Sequence, residues 1–160
     1  MRRIIHLLLL FPAIATADNL NCPCIVVEVI DGDTVYVQDH LRSSRKVWLA
    51  GIDAPELDQP YGEQSRSHLI QLVEGKPIEV VFLKRDRYGR IIGKLIHNKQ
   101  DINLGQIKNG FSWYFRQNLD ELSRVDHSIY RSAENTAKSQ GLGLWSLPEP
   151  IPPWEYRSSR

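Results

Sequence analysis

Between residues 25 and 97 the chain breaks into short runs rich in β-branched and aromatic residues, each bounded by turn-forming residues. The stretch "IVVEVIDGDTVYV" (25–37) reads as strand, Asp-Gly-Asp-Thr turn, strand. "KVWLAGI" supplies a third strand, "PIEVVFLK" (77–84) a fourth and "GRIIGKLIH" (89–97) a fifth, the last two joined by the basic turn "RDRY". Five short strands in succession are consistent with a small β-barrel. Helical spacing appears over 62–74, over 102–109 up to Gly110, and over 119–140, where Leu122, Val125, Ile129, Ala133 and Ala137 recur every three or four residues. Asn118 and Glu121 resemble a capping box for that last helix, and Gly141 stops it. The reading is an α+β fold, a five-stranded barrel with about three helices.

The ends of the chain differ from this body. "MRRIIHLLLLFPAIATA" has a basic start, an apolar run and a small-x-small ending, which is the pattern of a secretory signal peptide cleaved after Ala17. Arg2-Arg3 lacks the wider context of a twin-arginine signal, so the expectation is general secretion, to the periplasm or beyond, with no membrane attachment after cleavage. Losing those two arginines takes the formal charge from +1 to −1, so any attraction to polyanions must be local. Residues 18–147 form the expected domain. The Pro-rich segment 148–160 is expected to be extended, with Trp154 packed back on the body or trailing in solvent. Two cysteines, Cys22 and Cys24, are too close for an unstrained mutual disulfide and one pair short of a zinc site. They leave a monomer as the expectation and a cysteine-mediated dimer as the open alternative.

Two segments could carry chemistry. Asp31, Asp33, Asp53, Glu56 and Asp58 gather around two turns, and carboxylates held close repel one another unless a cation sits among them. Oxygen donors without a His/Cys set suit a hard ion, calcium or magnesium. Taken alone, Asp-Gly-Asp is also an ordinary turn. "KRDRYGR" (84–90) offers Arg85, Arg87 and Arg90 for two-pronged phosphate contacts and Tyr88 for stacking on a base, although a solvated hairpin tip has the same composition.

Together, "VIDGDTVYV", "VWLAGIDAPE", "YGEQS", "DRYGR" and "GLGLWS" occur in an order and spacing that resembles the secreted thermonuclease family, the staphylococcal-nuclease-like phosphodiesterases, over about residues 25 to 147. The ending "PIPPWEYR" is similar to the tail of Gram-negative secreted members. The resemblance implies an oligonucleotide/oligosaccharide-binding (OB-fold-type) barrel that cleaves DNA and RNA, favouring single strands, with Ca2+. Position by position it implies calcium ligation by Asp33, Asp53 and the carbonyl of Ala54, with Asp31 behind them. It implies water activation by Glu56 and stabilisation of phosphate charge by Arg90. Tyr88, with Arg87 and Trp48, falls on the substrate-binding side.

One position departs from the pattern. Active members carry an arginine five residues before the aspartate of "GIDAPE", and this chain has Trp48 there. Three readings are open: Arg45 or Lys46 reaches the phosphate instead, Trp48 stacks on a base or sugar in a weaker nuclease, or the site binds without cleaving. Trp48 as an ordinary core residue is compatible with all three. Strict strand alternation would also put Trp48 and Asp53 on opposite faces, so a bulge at Gly51 is expected. The alternative to a nuclease is a non-catalytic nucleic-acid-binding barrel, because this fold hosts many functions. The aromatics Phe111, Trp113, Tyr114 and Phe115 are divided between cleft and core.

Overall fold

The computed structural model describes residues 23–160, so the signal-peptide reading and Cys22 lie outside the described residues. Five strands build the barrel: β1 (Pro23–Val29), β2 (Thr34–Gln38), β3 (Ser44–Leu49), β5 (Pro77–Arg85) and β6 (Ile91–His97). Two short pieces complete the list up to this point of the chain, β4 (Ile52–Asp53) and β7 (Gln100–Asp101). The sheet runs in the order β3-β2-β1-β5-β6-β7, and parallel pairing of β3 with β6, Trp48 opposite Ile92, closes it. Alternation decides what faces inward. Val35, Val37, Val47, Leu49, Ile78, Val80 and Leu95 are buried in the barrel, and Cys24 joins them as a small apolar residue.

Among the described residues, four α-helices and two 3-10 turns surround the barrel. Helix α1 (Gly62–Val73) and helix α2 (Ile102–Lys108) fall where the sequence periodicity puts them. Buried Asn103 fastens α2 to the barrel: its amide donates to the carbonyls of Ala50 and Gly93 and its oxygen accepts from Leu95 N. The long helix is shorter than its sequence pattern predicts. A 3-10 turn (Leu119–Glu121) comes first, and α3 begins only at Arg124 and runs to Ser139. The Asn118 amide donates to the Glu121 carboxylate instead of either residue capping the backbone, and Ser123 is the N-cap, accepting from Asp126 N. The buried face of α3 is Tyr130, Ala133, Glu134 and Ala137, whereas Val125 is 68% exposed.

The tail corrects the sequence reading most. It is not extended: after a 3-10 turn (Gly143–Ser146) and a run of prolines it forms α4 (Pro153–Ser158). Proline at the first helical position costs no hydrogen bond, so "PPWEYRS" is a permitted helix start. Trp154 packs against Trp113 of strand β8 (Trp113–Tyr114) and against Phe115, with ring centroids 5.8 and 5.7 Å apart. Three polar contacts tie the tail to the turn after Glu56: Gln59 Nε2 to Ile151 O, Tyr156 Oη to Asp58 O, and Arg160 to Asp58.

Candidate active site

The site begins with the "DGDT" turn. Asp31 Oδ1 accepts from Asp33 N, folding the turn on itself, and Asp33 O accepts from Leu49 N, binding it to the end of β3. Gly32 allows the turn to press against α1 and the "GIDA" segment, because a side chain there would overlap Ser65 and Ala54. Gln106 of α2 holds the same place from below, donating to the carbonyls of Gly32 and Ser65.

The second acid arrives by a different route from the one its sequence suggests. The strand does not bulge at Gly51 and continue. It ends at Leu49, turns through Ala50-Gly51 with Gly51 at φ +70°, and restarts as β4, which leaves the barrel and pairs with β8. This switch lets Trp48 and Asp53 reach one cleft although five positions of regular strand would set them on opposite faces. Asp53 and Asp33 are 3% and 4% exposed, and Asp33 Oδ2 accepts from Ala54 N at 2.7 Å. Burial, then the charges of Asp31 and Asp53, hold the Asp33 carboxyl well above the usual carboxylate range. Asp53 is also raised, by burial first and by Glu56 and Asp31, against the opposing pull of Arg157.

Among the described residues, Asp31, Asp33, Thr34, Lys46, Trp48, Ala54, Pro55, Glu56, Arg90 and Arg157 line a cleft of about 220 Å³. A wider groove of about 540 Å³ adjoins it, lined by Lys84, Arg85, Arg87, Tyr88, Phe115 and others. Trp48, Arg90 and Arg157 belong to both and form the wall between the acidic cleft and the basic groove.

Arg90 is positioned twice. Its Nε–H donates to Asp86 Oδ2, and its guanidinium lies 3.9 Å from the centre of the Trp48 ring. Asp86 organises the basic hairpin by accepting from the backbone N–H groups of Tyr88 and Arg90. The Trp48 indole is therefore half-buried against a cation, neither core nor free platform. Lys46 shares its outward face on β3. Arg87 and Tyr88 stand at the groove's rim, Tyr88 67% exposed with Arg87 stacked 4.8 Å over its ring. Of the aromatic run, Trp113 and Tyr114 are buried and Phe115 faces the groove.

The residue that sequence reading missed is Arg157. Its Nη1 donates to Asp53 Oδ1 at 3.0 Å and Glu56 Oε1 at 2.7 Å, and its Nη2 donates to Asp53 Oδ2 at 2.7 Å. The signal was the spacing within "PPWEYR". Trp154 and Arg157 are three apart on one helix face, and Trp154 docks on Trp113, which pairs with Asp53 across β4 and β8.

A closed five-stranded barrel that carries two buried carboxylates beside a glutamate and an arginine defines a class: an α+β protein built to present a charged site at the barrel's flank. The chain belongs to the staphylococcal nuclease family, whose "Staphylococcal nuclease homologue" model matches residues 46–147. It is 35% identical over 151 residues to an "Uncharacterized endonuclease" of Haemophilus influenzae, covering 94% of this chain and 82% of that protein. An Escherichia coli protein of the same description is 39% identical over 134 residues, 82% of each chain. "Staphylococcal-like nuclease CAN1" of Arabidopsis thaliana is 30% identical over 123 residues, 77% of this chain and 36% of that longer protein.

Proposed function

We propose that this protein is an exported Ca2+-dependent nuclease that hydrolyses phosphodiester bonds in DNA and RNA and works best on single strands. The nuclease class follows from its family. The observation that carries the finer reading is that Asp33, Glu56 and Arg90 line one cleft while Asp53, with Arg90, lines the basic, aromatic groove that adjoins it.

The cleft fits a hard cation. Burial and neighbouring acids raise the proton affinity of both Asp33 and Asp53. The side chains there that could ligate a cation do so through oxygen, and an ion at Asp53 would share or displace the Arg157 guanidinium. Among the described residues no three His, Cys, Asp or Glu side chains close into a cage. Asp33 and Asp53 would therefore hold the ion with the Ala54 carbonyl and water, a set calcium tolerates because its coordination is flexible. Bound there, calcium would polarise a phosphoryl oxygen and offset repulsion of the incoming nucleophile.

The chain's own residues do the rest. Glu56 stands at the cleft's edge, where it accepts a proton from, or orients, the attacking water. Arg90, immobilised by Asp86 and Trp48, donates to oxygens that gain charge in the transition state. Fixed donors of this kind are worth about 3 kcal/mol each. Tyr88 and Arg87 flank the adjoining nucleotide, by stacking and by charge. The apolar leader with its Ala15-Thr16-Ala17 ending supports export.

The test is cleavage of a single-stranded oligonucleotide with calcium and with chelator, beside Glu56→Gln. The expected outcome is calcium-dependent hydrolysis that the variant lowers by about 10²–10⁴-fold, the usual worth of a positioned general base. Cleavage that survives chelation, or an unimpaired Glu56→Gln, would refute the mechanism. Binding without cleavage by the wild type would favour the non-catalytic barrel.

A further inference from the structure

The acidic cleft is poorly suited to a polyanion unless cations face it. Three line it: Lys46, Arg90 and Arg157. Lys46 is exposed on β3, and Arg90 already donates to Asp86. Arg157 is the guanidinium that lies directly on the acids.

Its donors are divided in a telling way. Arginine has five N–H groups in a rigid fork. Both hydrogens of Nη1 are used, one on Asp53 and one on Glu56, and one hydrogen of Nη2 is used on Asp53. Nε–H and the second Nη2–H make no hydrogen bond among the described residues, and they lie side by side on one edge of the plane. That pair is the two-pronged arrangement that matches two oxygens of a phosphate. The side chain is 42% exposed, so the edge is reachable from solvent. Arg157 also lines both the cleft and the groove, as Arg90 does, so the two guanidinium groups share the wall that a strand would cross.

Arg157 is not a loose end that happens to touch an acid. Trp154 seats α4 on Trp113 and Phe115, and contacts at Gln59 and Asp58 fasten the tail to the turn that carries Glu56. The strand position within this wall holds the uncharged Trp48, whose ring is taken up by Arg90.

We propose that Arg157 is a substrate-binding residue: its Nε/Nη2 edge receives two oxygens of the backbone phosphate that Arg90 approaches from the barrel side. Its Nη1 side meanwhile keeps Asp53 and Glu56 aligned. This rests on the nuclease reading above. The ligand is a phosphodiester of a single-stranded nucleic acid.

The test measures fluorescence anisotropy of a labelled single-stranded oligodeoxynucleotide in chelator, over a range of salt, for wild type, Arg157→Gln and Arg157→Lys. Each phosphate contact on a single strand contributes about 0.7 to the slope of log affinity against log salt. Arg157→Gln is expected to bind about tenfold more weakly and to lose about 0.7 of that slope. Arg157→Lys keeps the charge but not the paired donors, so it is expected to keep the slope and still bind several-fold more weakly. With calcium, Arg157→Gln is expected to lower kcat/KM about 100-fold. Unchanged or tighter binding by Arg157→Gln, with unchanged slope, would overturn the proposal and make the contact a plug. Arg157→Lys indistinguishable from wild type would also overturn it, because bulk charge alone would then suffice, and that comparison stands if Arg157→Gln does not fold. Failure of the nuclease reading would show separately, as no cleavage by wild type with calcium, and the binding series in chelator would still decide the role of Arg157.

Discussion

Gly32→Ala is the smallest change that tests how the site is assembled. A methyl group at this position would lie 1.9 Å from Ser65 Oγ, 2.8 Å from Ser65 Cβ and 2.6 Å from Ala54 Cβ. Carbon atoms pack at about 3.5–4.0 Å, so the turn must retreat by roughly 1 Å. Rotating the Ser65 hydroxyl relieves only the first overlap, and it would break the bond Ser65 Oγ donates to Phe111 O. The retreat pulls Asp33 off Ala54 N, now 2.7 Å away, and shifts its carboxylate relative to that of Asp53. Overpacking of this size costs about 2 kcal/mol. For a chain of this length that lowers Tm by roughly 4–8 °C. A misplacement of about 1 Å in a reacting group costs on the order of 100-fold in rate. Thermal unfolding should therefore show a moderate loss, and oligonucleotide hydrolysis under calcium titration a much larger one. Adding Ser65→Gly to Gly32→Ala removes two of the three overlaps and should recover part of both. Wild-type stability and rate in Gly32→Ala would refute the claim that close approach at this turn sets the site.

Two further outcomes concern the fold. Asp101 caps α2 through Leu104 N, accepts from Tyr130 Oη and pairs with half-buried Lys94. Asp101→Ala should cost about 1–3 kcal/mol in urea unfolding, because it strands the buried Tyr130 hydroxyl and removes the α2 cap, while Lys94 keeps its pair with Asp126. The Asp126 carboxyl is pushed up by burial but held below its usual range overall by bonds from Lys94 and Ser123. A depressed folded value means this contribution is fully present above the ordinary value of 3.8 and is lost as pH falls through the depressed one. Lys94→Met should thus be less stable at neutral pH and lose less on acidification, and an acid limb as steep as the wild type's would contradict the pairing.

The barrel was legible because its signal is local. Alternating valines in "TVYV" and "KVWL" face inward, and turn residues mark each strand end. The start of α3 was misread because Asn118 and Glu121 satisfy each other through their side chains, which a spacing rule cannot distinguish from a backbone cap. Its buried face was misjudged for a related reason. Charged Glu134 is buried among Arg116, Lys138 and Tyr114 N, while apolar Val125 and Ile129 at the expected spacing point to solvent. The candidate acids, Arg90 and its hairpin were picked out by their motifs, and the structure sets them around adjoining clefts. Their convergence depends on a strand switch at Gly51 that periodicity treats as an interruption. Arg157 was missed for a different reason: the Trp154–Arg157 spacing is visible in the tail, but its meaning depends on Trp154 docking on Trp113, the residue paired with Asp53.

The ion pair between Arg157 and Asp53 spans 104 positions of sequence, and that separation has a meaning in time. Ribosomes add about 5–20 residues per second, so the acids exist for roughly 5–20 s before the guanidinium that bridges them is made. Until then the nascent barrel carries an unbalanced cluster of negative charge, and the wall between cleft and groove has only Trp48 and Arg90 in it. The contact that joins the tail to the acids is thus among the last to be made, after every barrel strand and α3 have been synthesised.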